Sequence, residues 1–183
     1  SPAASRRCYH PAMATLVLTV IGDDRAGLVN ALAEVVTAHG GNWGRSQLAE
    51  LGGKFAGIVL VDVADDRSDE LAAALQPLAG LLEVAIHRGH QASAAQQGNQ
   101  VQVDMVGNDH PGIVRDVSAV LARHGISIDR LITETRDAPM AGGRLFEAHL
   151  TAAVAVDHDL TALQRDLEHL ATEILVDISV AAG

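Results

Sequence analysis

Gly22–Gly40, GDDRAGLVNALAEVVTAHG, returns as Gly107–Gly125, GNDHPGIVRDVSAVLARHG. Each copy reads as a strand end, a short polar turn and an amphipathic helix closed by His-Gly. A gapless alignment of Gly22–Arg45 with Gly107–Arg130 matches eight of 24 positions, where composition alone gives roughly one or two. The repeat predicts two copies of one small module.

Working outward from the first copy, TLVLTVI at 15–21 is β-branched and apolar, which predicts a strand buried on both faces. Leu28, Leu32, Val35 and Val36 then fall on one helical face, and Gly40 supplies a left-handed closing position. Residues 42–51 and 54–64 read as strands joined at Gly52-Gly53, a hairpin signal. Ser68 or a neighbouring Asp is expected to cap a second helix bearing Leu71, Leu75 and Leu78, with Pro77 limiting its length. Leu82, Val84 and Ile86 alternate as a closing strand.

The same order follows a Gln, Ala and Ser-rich linker at 89–99. A strand at 100–106 leads to a helix at 111–124 with Ile113, Val117, Val120 and Leu121 inward. Strands at 126–136 and 143–155 follow, then a helix bearing Leu160, Leu163, Leu167 and Leu170 with Asp157 or Asp159 as its cap. Ile174, Val176, Ile178 and Val180 alternate as the last strand. Strand, helix, strand, strand, helix, strand is the split βαβ order, so the predicted class is α+β: two ferredoxin-like units, each a four-stranded antiparallel sheet with two helices on one face. Each unit is expected to keep one apolar sheet face that needs cover, from the other unit or a second chain, so a homodimer is among the expected partners. The expected boundaries are a disordered leader at 1–14, a first domain at 15–88, the linker, and a second domain at 100–183.

Hydrophobic residues make up 48% of the 183 and aromatics only 2%, so the cores rest on aliphatic packing and offer no base-stacking platform. A net charge of -10 argues further against nucleic acid, which is bound chiefly through Lys and Arg. No basic recognition helix appears, so any transcriptional role is expected to act through a protein partner. Cys8 is the sole cysteine, and no apolar run reaches membrane-spanning length. These features predict a cytoplasmic protein that binds no membrane. Phosphate-loop and nucleophile-elbow patterns are absent, and His87 and His90 lack further nearby ligands, so no enzyme activity, catalytic residue, metal site or cofactor is expected.

The turn Asn108-Asp109-His110-Pro111-Gly112 carries the chemistry. Pro111 is expected at the first helical position, with Gly112 allowing close backbone approach. The amides of Gly112, Ile113 and Val114 would then face a carboxylate or phosphate, with Asn108 and Asp109 as acceptors for an ammonium group. Asp23, Asp24 and Asp109 have a second reading as plain helix caps. Trp43 reads as interface or core filler ahead of ligand clamp. His39 and His124 recur at helix ends, where the dipole favours them.

The βαββαβ order, the Asp-His-Pro-Gly-Ile-Val turn and the His-Gly-Ile-Ser-Ile passage resemble the ACT domain, a regulatory module that in many members binds amino acids. Two such units with no catalytic domain attached are similar to the glycine cleavage system transcriptional repressor family. That resemblance implies a small amino-acid effector, with glycine or serine as the guess, and a protein partner in control of glycine and one-carbon metabolism. It also implies sites where the turn of one unit meets the second-strand start of a neighbour. The turn positions are Asp23, Asp24, Arg25, Ala26, Gly27 and Leu28, and Asn108, Asp109, His110, Pro111, Gly112 and Ile113. The strand-start positions are Asn42 and Trp43, and Ser127 and Ile128. With Pro111 against Ala26, the second turn is expected to be the better preformed, while Arg25 offers a bidentate carboxylate contact. A stand-alone subunit acting on a metabolic enzyme, or a scaffold with decayed sites, are the alternatives.

Overall fold

The computed structural model describes residues 11–90, 98–138, 140 and 142–183. Cys8, most of the expected leader and the middle of the linker therefore lie outside the described residues. Two compact units divide between Gln91 and Ala92.

The first unit runs β1 (Met13–Asp23), α1 (Leu28–Ala38), β2 (Asn42–Leu51), β3 (Lys54–Ala64), α2 (Ser68–Leu75) and β4 (Glu83–Arg88). The second runs β5 (Asn99–Asn108), α3 (Ile113–Arg123), β6 (Ser127–Asp137), β7 (Arg144–Val154), α4 (Leu160–Ile174) and β8 (Val176–Ala182). The sheets have orders β2-β3-β1-β4 and β6-β7-β5-β8, antiparallel throughout. This is the expected βαββαβ arrangement, twice.

Each unit has its own aliphatic core. Leu16, Leu18 and Val20 of β1 and Val59, Val61 and Val63 of β3 meet Leu28, Leu32, Val36, Leu71 and Leu75 from the helices. Val101, Val103 and Met105 of β5 meet Val117, Leu121, Leu163 and Leu167 in the second. The Gly52-Gly53 hairpin forms where expected, both glycines being left-handed at φ 61° and 81°, the pairing that a two-residue hairpin demands. A short 3-10 turn at Gln76–Gly80, with Pro77 near its start, ends α2.

Several local expectations are corrected. Ser68 is buried, but its hydroxyl donates to the Asp65 carbonyl at 2.8 Å and α2 has no side-chain cap. Of the two candidates for α4, Asp159 is the cap, accepting from the amides of Thr161 and Ala162 at 3.0 and 3.2 Å. Ile174 belongs to α4 rather than to the last strand, because the chain leaves the helix through a left-handed Leu175 at φ 54°. Met13 and Ala14, assigned to the leader, pair with Ala64 and Val63 as the start of β1.

The largest departure is on the sheet faces turned away from the helices. β1 is not buried on both faces: its second face, with Ile21 47% exposed, lies beside Ile58 of β3, 52% exposed. The two units then diverge. In the first, the central row across β3, β1 and β4 is Ile58, Thr19 and Ala85, flanked by Leu60, Val17 and His87 and by Ala56, Ile21 and Glu83. In the second the corresponding rows are His149, Asp104 and Ser179, then Thr151, Gln102 and Ala181, and Glu147, Val106 and Asp177. The first open face is the more apolar of the two along its central row, though Glu83 and His87 flank it, and the second carries exposed Val106 and Ile132 among its polar groups. The second closes its own polar groups in pairs, Asp104 accepting from His149 at 2.6 Å and Glu147 from Arg136.

Candidate functional site

Both repeated turns open their helices in one way. Gly27 and Gly112 are the N-caps, left-handed at φ 90° and 99°, and neither helix has a side-chain cap. Asp23, Asp24 and Asp109 therefore do not act as caps. The first intrahelical bonds run from Ala31 to the Gly27 carbonyl and from Asp116 to the Gly112 carbonyl, each 2.9 Å. The amides of Leu28, Val29 and Asn30, and of Ile113, Val114 and Arg115, precede those bonds and sit at the positive end of the helix.

Pro111 does not occupy the first helical position. It precedes the glycine cap, where Ala26 stands in the first unit, and α3 begins at Ile113. The same φ at Gly27 and Gly112 sets the backbone of both turns, so proline confers no visible difference in helix entry. Nor is Gly112 a point of backbone approach, since a Cβ there would meet side-chain atoms, Arg115 Nη2 at 2.9 Å first. Close approach falls at Gly22 and Gly107: a Cβ on Gly22 would lie 2.4 Å from the Leu81 carbonyl oxygen, and one on Gly107 2.9 Å from Val176 Cα.

The side chains around the turns differ. In the first unit Asp23 pairs with Lys54 at the start of β3. The Lys54 hydrogen bond, and then its charge, holds the Asp23 carboxyl below the ordinary carboxylate range. Asp24 is tied by its amide to the Gly53 carbonyl at 3.0 Å, leaving its side chain exposed. Arg25 is exposed, and with Asp23, Lys54, Leu81 and Glu83 it lines a cavity of about 250 Å³. That is somewhat below the ~300–1,000 Å³ typical of drug-sized ligands and suits a small metabolite.

In the second unit His110 stands where Arg25 does, and it is engaged. Its Nε2 donates to the Ile174 carbonyl at 2.9 Å, and Nδ1 lies 3.2 Å from the Pro111 carbonyl. The turn is thereby strapped to the end of α4. Asn108 replaces Asp23, and the Asp109 amide donates to the Arg144 carbonyl at 2.8 Å. Leu28 and Ile113 are buried in the two cores, so only their backbone faces the turn, whereas Val29 and Val114 are 44% and 39% exposed.

The strand-start residues lie elsewhere. Trp43 packs against the first core, with Nε1 donating to Ser46 at 3.2 Å, and Ile128 packs against the second. Asn42 and Ser127 are exposed. Asn42 pairs with Asp62, which pairs with Thr15, whereas the turn follows Asp23, eight residues further along β1. Ser127 pairs with Ala153 and thus lies beside Gln100, again eight residues from Asn108. At about 3.4 Å per residue the turn and the strand start of one unit are about 27 Å apart. No single unit brings them together.

Lys54, Glu83 and Leu81 were not expected at the site. The signal for Lys54 was its place just past the Gly52-Gly53 turn, which antiparallel pairing sets against the end of β1. Of the helix-end histidines, His39 reaches the Val35 carbonyl with Nδ1 at 2.8 Å. His124 instead places Nε2 2.8 Å from Asp166 of α4, and this hydrogen bond is the chief reason the Asp166 carboxyl lies below its ordinary range. Among the described residues no group of three or more His, Cys, Asp or Glu side chains is placed to hold a metal, and no helix is long and apolar enough to cross a membrane.

Two βαββαβ units whose first helices open from left-handed glycine turns define a tandem α+β repeat. Residues 14–88 and 101–168 each match a family model for the ACT domain. The chain belongs to the ACT-domain family, with two domains in tandem. It is 26% identical over 162 residues to the glycine cleavage system transcriptional repressor of Escherichia coli (strain K12), covering 87% of this chain and 85% of the relative. A solved structure of a protein of unknown function from Galdieria sulphuraria superposes with TM-score 0.85 at 30% identity, over 94% of this chain and 99% of that one. Another, described as a candidate glycine cleavage system transcriptional repressor, superposes with TM-score 0.69 at 22% identity, over 93% and 98%, and shares the fold.

Proposed function

We propose that this chain is a non-enzymatic regulatory protein that binds a small amino acid, glycine or serine, and passes the signal to a protein partner in transcriptional control of glycine and one-carbon metabolism. Membership of the ACT-domain family supports the regulatory part. The similarity to a glycine cleavage system transcriptional repressor supports the metabolic setting.

One observation carries the reading of how binding is transmitted. Turn and strand start lie about 27 Å apart within each unit, so a ligand held by both must sit between a turn on one unit and a strand start on a neighbour, either the other unit or a second chain. Such a ligand favours one arrangement over another by its differential affinity, which is what a sensor requires.

The first turn is the better candidate. Arg25 can take a carboxylate in bidentate fashion, the amides of Leu28, Val29 and Asn30 add donors, and Asp24 or Glu83 accepts from the ammonium group. In the second turn the matching His110 is already bonded to Ile174. Calorimetry against a panel of free amino acids tests this: glycine or serine should bind, and Arg25→Ala should weaken binding by about tenfold or more. Silence across the panel at millimolar concentration contradicts sensing.

A further inference from the structure

Alone among the described histidines, His110 has both ring nitrogens at carbonyl oxygens. Nε2 lies 2.9 Å from the oxygen of Ile174 and Nδ1 3.2 Å from that of Pro111. Carbonyl oxygens only accept, and a neutral imidazole carries a single N–H. The neutral ring therefore serves one carbonyl and turns a lone pair on the other, whereas the imidazolium donates to both.

The carbonyl at Nε2 belongs to the last residue of α4, among the four that a helix leaves without an internal partner at its negative end. α4 has no basic residue in its own last turn, so His110 is the group placed to bring a cation there. The next residue is a hinge. Leu175 leaves α4 left-handed at φ 54°, the one non-glycine residue with positive φ among those described, a conformation that an L side chain holds only where its neighbours impose it.

The charged groups on the elements that meet here are otherwise engaged or stand apart. Arg115 and Asp116 of α3 pair with each other at 2.8 Å, and Glu173 of α4 lies 3.2 Å from His169. Arg144 of β7 donates to Thr135, and Asp109 in the turn and Asp177 of β8 are exposed. Among the described residues His110 makes no ion pair. A change in its charge is therefore read by the two carbonyls.

We infer that His110 is a proton-operated strap: the imidazolium ties the Asn108–Gly112 turn to the exit of α4 at Ile174 and Leu175, and the neutral ring gives up one of the two bonds and loosens turn from helix. The charge on one ring is the switch, and the left-handed exit is the element that it biases. The first unit has no such device, because Arg25 stands in the matching place, exposed and permanently charged. The inference goes beyond the effector reading and does not depend on it.

Nuclear magnetic resonance of the full chain without effector, from about pH 5 to pH 8, spans the window in which histidine changes charge. The Ile174 and Pro111 carbonyl-carbon shifts should follow the titration curve of the His110 ring, while that of Ala26, the first-unit match of Pro111, stays flat. His110→Gln keeps a donor but cannot titrate, and it should abolish both responses. His169→Gln, at the histidine of α4 itself, should leave them intact. Amide spectra check that each variant folds, and His110→Arg, charged throughout, serves if His110→Gln does not. Carbonyl shifts that stay flat while the His110 ring titrates overturn the inference, as does a ring that keeps one protonation state across the window. So do responses that persist in a folded His110→Gln or His110→Arg, or that vanish in His169→Gln, since another group would then be the switch.

Discussion

The two helix-opening turns share a backbone and differ in what surrounds it. Gly27 and Gly112 adopt the same left-handed cap, and each leaves three amides at the helix end. Around the first stand Arg25 and the Asp23–Lys54 pair, beside a cavity. Around the second, His110 fills the equivalent place and bonds to the far end of α4. The open sheet faces differ too, the central row being Ile58, Thr19 and Ala85 in the first unit and His149, Asp104 and Ser179 in the second. A repeated scaffold is thus held by glycine conformation and aliphatic core, while unit-specific side chains leave Arg25 exposed at the first turn and tie His110 to Ile174 at the second.

The shared backbone can be broken first. Gly27→Val and Gly112→Val each put a β-branched residue at strongly positive φ, which is expected to cost about 2 kcal/mol or more. Urea denaturation should show comparable losses for the two, with Gly112→Val slightly worse because its Cβ also meets Arg115. A negligible loss at either glycine would show that the turns are not equivalent. The same conformational demand makes Gly112→Val a poor probe of ligand approach.

A smaller effect separates true caps from neighbouring carboxylates. Asp159→Ala removes a side chain that accepts from two amides and should cost about 1 kcal/mol. Asp109→Ala, at a turn whose cap is a glycine, should fall within about 0.5 kcal/mol of wild type. Equal losses at the two positions would restore the capping role to Asp109.

The smallest effect is in pH. Asp23 and Asp166 are held below the ordinary carboxylate range by Lys54 and His124 respectively. A carboxyl depressed in the folded state stabilises it above the unfolded value, and that stability is lost as pH falls through the folded value. Urea midpoints should therefore drop on acidification below about pH 4, with a shallower drop in Asp166→Asn. A variant that follows the wild-type curve would remove the His124 pair from the account.

Much of this was readable from the residues. Alternation placed the core of both units, and Gly52-Gly53 gave the hairpin to the residue because two left-handed positions in a row admit little else. Local preference misled where a neighbour decided: proline is favoured at a first helical turn, but Gly112 beside it takes the cap. Ile174 continued an apolar alternation that a left-handed Leu175 interrupts. The contrast between open faces was present in VQVDM against LVLTV, and it becomes visible once strand order shows which residues share a row. The His110–Ile174 bond joins residues 64 apart, and no local pattern announces it.

The most direct test of the central claim is a glycine and serine titration followed by backbone amide chemical shifts. The account predicts that Leu28, Val29 and Asn30 move at lower concentration than Ile113, Val114 and Arg115. Movement of the second set first, or of neither, would contradict it.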